Sequence, residues 1–112
     1  MPKTIGSDKD GITQISLSAL INLHVCGEVL KEVRIYSASS IDTICEFEFE
    51  GNKVYEASGF SIGYGGEGPH GLWTAIRTFY PNKMSGDFWK TPISGLSQGH
   101  WRWTPSGGFI SI

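Results

Sequence analysis

The chain has 112 residues, 39% of them hydrophobic and 18% charged, and a formal net charge of −2. That length suits one domain burying about two-thirds of its unfolded surface without metal or disulfide support, and the composition excludes a disordered chain. No apolar run spans a membrane, no charged and then apolar leader opens the chain, and Cys26 and Cys45 make neither a disulfide scaffold nor a zinc site. A cytoplasmic location is therefore expected, in the host cytoplasm if the chain is viral.

Charge and aromatic content divide unevenly along the chain. Residues 1–67 carry five Lys/Arg against ten Asp/Glu, whereas residues 68–112 carry Arg77, Lys83, Lys90 and Arg102 against Asp87 alone. The second part also holds Trp73, Trp89, Trp101 and Trp103, with His70 and His100. A mildly basic, aromatic half suits an anionic small molecule with a ring better than a nucleic-acid duplex, which calls for a denser basic patch.

Residues 1–11 are polar and read as a flexible segment ahead of a single domain over residues 12–112. Next, Ile15, Leu17, Ala19, Ile21, Leu23 and Val25 occupy odd positions, with Ser16, Ser18, Asn22 and His24 between them. This alternation predicts a long strand with one buried face. A short turn at Cys26-Gly27-Glu28 leads to a β-branched second strand over Val29, Lys31, Val33 and Ile35.

From Asp42 to Glu50, Thr43, Cys45, Phe47 and Phe49 alternate with Glu46, Glu48 and Glu50, giving a third strand with an acidic solvated face. A fourth returns over Val54 to Phe60 after Gly51-Asn52-Lys53. A three-residue loop is expected to set Phe49 opposite Tyr55, Phe47 opposite Ala57 and Cys45 opposite Gly59.

Ser61 to Leu72 contains five glycines, Gly63, Gly65, Gly66, Gly68 and Gly71, and runs into a helix predicted from Pro69 to Phe79. Leu72, Trp73, Ile76 and Phe79 share one helical stripe, and Tyr80-Pro81-Asn82 ends it. Met84 to Gly99 is irregular. A last hairpin pairs His100 to Trp103 with Phe109 to Ile112. The fold class is α+β: an antiparallel sheet of five or six strands, a meander plus a C-terminal hairpin, with one packed helix.

The glycine loop is the candidate binding centre. Glycines allow close approach of a ligand, and a helix N-terminus offers unpaired amides and a positive dipole end to phosphate or carboxylate. Its spacing fits neither the dinucleotide-binding crossover nor the P-loop, and a purely structural strand-to-helix connection is the competing reading. The expected function is non-catalytic binding of a phosphorylated or nucleotide-like small molecule, to sense, carry or sequester it, without cofactor or metal. Tyr64, Gly65, Gly66, Glu67, Gly68, His70 and Gly71 would form the loop site. Trp73 and Trp89 would stack on a ring, Lys90 and Arg102 would add charge, and a homo-oligomer would deepen the pocket.

Two alternatives come from other classes. In a metal-independent hydrolase of the phosphodiesterase type, His70 and His100 would be acid and base, with Arg102 stabilising developing charge. That requires the His100/Arg102 side of the last hairpin to look toward the glycine loop. In a protein-interaction or assembly module, the tryptophans and the loop would instead be contact surface. Cys45 falls on the predicted buried face, where a thiol is inert.

Overall fold

The computed structural model of the protein describes residues 3–8, 11–39, 42–84 and 92–112. In chain order the elements are β1 (Lys3–Asp8), α1 (Thr13–Val25), β2 (Leu30–Ser39), β3 (Asp42–Phe49), β4 (Lys53–Ala57) and α2 (Glu67–Phe79). A single 3₁₀ turn, Ile93–Gly95, then precedes β5 (Gly99–Thr104) and β6 (Gly108–Ser111). The six strands form one sheet in the order β1-β4-β3-β2-β5-β6, with both helices against one face. All neighbours are antiparallel except β1 and β4, which run parallel. The α+β class and the meander with its C-terminal hairpin therefore match the sequence expectation.

The sequence reading of Ile15 to Val25 as a strand is overturned: these residues form α1. Alternation of apolar and polar residues is a strand signal only when the chain is extended. Wound at 3.6 residues per turn, the same positions spread around the whole helix. The chain ends α1 with a C-terminal motif that the sequence does display. Gly27 takes φ +91°, its N–H donates to the His24 carbonyl at 3.0 Å, and the Glu28 N–H reaches the Leu23 carbonyl at 3.1 Å. These are the two bonds of a Schellman cap, for which glycine in the left-handed region is the usual stop. Cys26-Gly27-Glu28 is thus a helix terminus, and the fold has two packed helices where one was expected.

A second difference lies at the N-terminus. Residues Lys3–Asp8, expected to lie outside the domain, form β1 and pair with β4 from Lys3↔Lys53 to Asp8↔Ala57. The β3–β4 register also shifts by two from the expected one, to Phe49↔Lys53, Phe47↔Tyr55 and Cys45↔Ala57. A shift of two keeps every side chain on its predicted face, because faces alternate with period two. Gly51 and Asn52 close the turn with φ of +87° and +56°. α2 begins at Glu67, two residues before the predicted Pro69, and ends where predicted.

The core lies between the helices and the sheet. Val33 and Ile35 of β2, Phe47 and Phe49 of β3, Leu72 and Ile76 of α2, and Leu20 of α1 are all fully buried, with Trp103 of β5 nearly so. Trp73 and Phe79, the other members of the predicted stripe, are half-buried against this core. The opposite face is polar and centred on Arg34, which donates to Glu46 at 3.0 Å, Glu32 at 2.9 Å and Glu48 at 2.8 Å. Of the predicted outward glutamates, Glu46 and Glu48 are therefore tied into an ion-pair network, which Lys31 and Arg102 extend at 3.3 and 3.4 Å.

Candidate functional site

The sheet topology brings two chain segments to one place. β1 and β4 are parallel neighbours, so their C-terminal ends lie at the same end of the sheet, and each is followed by a helix. The N-termini of α1 and α2 consequently meet there. A crevice outside the carboxyl ends of parallel strands is the usual ligand position in open α/β sheets, and the physical reason applies here: helix N-termini converge on it.

That crevice is a pocket of about 340 Å³. One wall is Gly11, Ile12 and Thr13, leading into α1, and the floor is Ser58 to Ser61, leaving β4. Tyr64, Glu67 and Gly68 complete it from the glycine loop and the first turn of α2. Neither helix is capped by a side chain: the N-cap residues are Ile12 and Gly66, both in extended conformation. Hydroxyl groups are concentrated around the pocket. Ser58 accepts from the Gly11 N–H at 3.1 Å, Thr13 donates to the Gly59 carbonyl, and Ser61 donates to the Tyr64 hydroxyl at 3.1 Å.

The glycines owe much of their presence to packing. A Cβ on Gly71 would lie 2.2 Å from the Thr13 methyl, one on Gly68 2.1 Å from the Ser61 oxygen, and one on Gly66 2.3 Å from the Tyr64 ring. Gly59 is equally constrained, 2.5 Å from the Ile12 backbone. They let α2 approach α1 and let both helix N-termini share one crevice. Steric exclusion of a Cβ at Gly59, Gly66, Gly68 and Gly71 supports the structural reading of these glycines.

The expected site residues separate into three groups. Tyr64, Glu67 and Gly68 line the pocket, with Gly65 and Gly66 beside them in the loop. His70, Gly71 and Trp73 lie further along α2: His70 meets Trp73 edge to face with centroids 6.5 Å apart, and Arg77 covers the Trp73 ring at 5.0 Å. Trp89 and Lys90 lie outside the described residues.

Arg102 and His100 are elsewhere. β5 pairs with β2 so that Arg102 stands opposite Arg34 and His100 opposite Tyr36, on the polar face away from both helices. His100 stacks edge to face on Tyr36 at 5.0 Å, and Arg102 pairs with Glu32. The alternation that puts Trp101 and Trp103 on the core side is as expected, but the condition that His100 and Arg102 look toward the glycine loop is not met. The sheet separates His70 from His100, so the paired acid–base arrangement and the Arg102 contribution to the loop site are both corrected.

Sequence reasoning missed Gly11, Ile12, Thr13, Ser58, Gly59 and Phe60. The signal available for the first three was the Gly11/Gly27 bracketing of a charge-free, helix-length segment, which fits a helix entered and left through glycine. Among the described residues, the pocket has Glu67 as its one charged lining side chain, in the first turn of α2, where a carboxylate is favoured by the helix dipole. Cys45 is fully buried on the core face, and that burial pushes its thiol pKa up, leaving it protonated and unreactive. Among the described residues no three His, Cys, Asp or Glu side chains come together as a metal site, and no helix is long and apolar enough to cross a membrane. Among known proteins, no family, no curated sequence and no solved structure matches this chain.

Proposed function

We propose that the protein is a non-catalytic binding protein for a phosphorylated or nucleotide-like small molecule, acting in the cytoplasm to sense, carry or sequester it. One observation carries this reading: two helix N-termini without side-chain caps open into the same hydroxyl-lined pocket. First-turn amides of α1 and α2 would hold the anionic group, so no basic side chain is required. The hydroxyl oxygens of Thr13, Ser58 and Ser61 would accept hydrogen bonds from sugar hydroxyls. Tyr64, 42% exposed at the pocket, supplies a ring face for stacking. A symmetric oligomer goes with this reading, because one small sheet leaves the outer side of the pocket open.

Glu67 makes the reading testable. A carboxylate next to a bound phosphate repels it, whereas a carboxylate facing a ribose hydroxyl accepts a hydrogen bond from it. Thermal-shift titration with mono-, di- and cyclic nucleotides, sugar phosphates and inorganic phosphate is the direct measurement. A ligand at 100 times its Kd stabilises by about 2.7 kcal/mol, several degrees in Tm for a domain this size. Binding of inorganic phosphate that tightens in Glu67→Gln places the anion at the α2 terminus. Nucleotide binding that weakens in Glu67→Gln, with phosphate alone inert, places a hydroxyl there. A flat response to every anion overturns the proposal.

A further inference from the structure

The side chains lining the pocket are already committed as donors. The Thr13 hydroxyl gives its one proton to the Gly59 carbonyl, and the Ser61 hydroxyl gives its proton to the Tyr64 oxygen at 3.1 Å. Both residues are more than nine-tenths buried, so water does not compete freely for these bonds. A hydroxyl has one proton and two lone pairs, so what Thr13 and Ser61 retain for a ligand is acceptor capacity. Glu67, the one charged lining side chain among the described residues, is an acceptor alone when ionised. Ser61 and Glu67 belong to the same corner of the pocket. A Cβ on Gly68, the residue after Glu67, would lie 2.1 Å from the Ser61 Oγ, so that oxygen rests against the first turn of α2.

The two halves of a phosphorylated ligand meet this corner differently. A phosphate dianion is itself an acceptor alone, so it makes no hydrogen bond with these side chains and is repelled by Glu67. A sugar hydroxyl is a donor. The 2′ and 3′ hydroxyls of ribose are two adjacent donors, matched to the two oxygens of a carboxylate or to one of them and the Ser61 oxygen. Building on the reading of this pocket as the site of a nucleotide-like molecule, we infer that its ligand is a ribonucleoside phosphate and that Glu67 selects ribose over 2′-deoxyribose.

Size and charge in the pocket agree with this assignment. A volume of about 340 Å³ stands at the lower end of the roughly 300–1,000 Å³ of ligand sites, which suits a mononucleotide better than a dinucleotide. Tyr64, bonded to Ser61, sets its ring beside the sugar position, where a base attached to that sugar can stack. The first turn of α1 has no acidic residue, whereas that of α2 has Glu67. Repulsion from Glu67 therefore leaves the Gly11–Thr13 side of the crevice to the phosphate, and the ligand has one direction in the pocket. A pocket built around a hydroxyl discriminates against the analogue without it, because the acceptors are then left facing a C–H group.

Calorimetric titration of the full chain with the four ribonucleoside 5′-monophosphates and their 2′-deoxy counterparts tests this. At least one ribonucleotide should bind on the order of 10-fold tighter than its deoxy form. Glu67→Ala, at an exposed position where folding is not at issue, should bring that ratio close to one by weakening the ribonucleotide and sparing the deoxynucleotide. Equal binding of the two forms by the wild type overturns the inference and leaves the nucleotide-binding reading standing. A preference for ribose that survives Glu67→Ala overturns the role of Glu67. If inorganic phosphate or a sugar phosphate binds and neither nucleotide series does, the inference fails alone. Silence across phosphate, sugar phosphates and all nucleotides overturns the underlying reading together with it.

Discussion

At Gly71 the requirement for glycine comes from a side chain in another element. A Cβ there would lie 2.2 Å from the Thr13 methyl and 3.0 Å from the Phe60 ring. Both neighbours are held: Thr13 by its bond to the Gly59 carbonyl, Phe60 by complete burial. Gly71→Ala should therefore destabilise by about 1–3 kcal/mol, the usual cost of overpacking. Thr13→Ser deletes the opposing methyl and keeps the hydroxyl, so the double variant should recover part of that loss. Chemical denaturation of the two single variants and the double variant gives the coupling directly. Strictly additive losses would show that the two positions do not press on each other. This is also why glycine spacing alone did not distinguish a ligand loop from a packing device: the atoms that exclude a Cβ come from residues 13 and 60, and sequence order gives no distance to them.

Among the elements, β2 and β3 couple stability to pH through their polar face. The Arg34 hydrogen bond holds the Glu48 carboxyl below its ordinary pKa, outweighing burial, and Lys31 adds to the effect. A carboxyl with a lowered folded-state pKa gives stability that is full above its unfolded pKa of about 4.3 and lost as pH falls through the folded value. Glu48, 14% exposed in its side chain, should contribute about 1 kcal/mol at pH 7. Glu48→Gln should lose that amount at pH 7 and match the wild type near pH 3, as read by urea denaturation at both values. An equal difference at both pH values would assign the effect to packing. These strands were legible because Thr43, Cys45, Phe47 and Phe49 alternate with acidic residues, and a shift in register by two residues leaves that pattern intact. α1 was not legible by the same rule. Its alternation results from apolar residues on every side of a helix, which a period-two reading along the sequence takes for the two faces of a strand.

In the whole molecule, the pocket depends on one long-range pairing. β1 joins the sheet only through β4, fifty residues away at Lys3↔Lys53, as a parallel edge strand with an irregularity between Thr4 and Gly6. The β2–β3–β4 meander closes short loops and buries Val33, Ile35, Phe47 and Phe49, whereas β1 gains its hydrogen bonds only after a long loop is closed. This explains why a polar N-terminal segment gave no sign of its place: six residues with little apolar content are a strand because β4 presents an open edge. Their parallel direction then brings α1's start beside that of α2 and creates the crevice. β1 should consequently open without the rest. In native-state hydrogen exchange, amides of β1 that bond to β4 should exchange through an opening well below the global unfolding free energy, while β2 and β3 amides exchange at the global value. If the pocket binds at the junction of the two helix N-termini, saturating ligand should slow β1 exchange selectively, since Gly11 and Ile12 of the pocket wall lie only three and four residues past the end of that strand in sequence. β1 amides as protected as those of β3 without ligand would mean that the edge strand belongs to the cooperative core, and that the crevice is fixed before any ligand arrives.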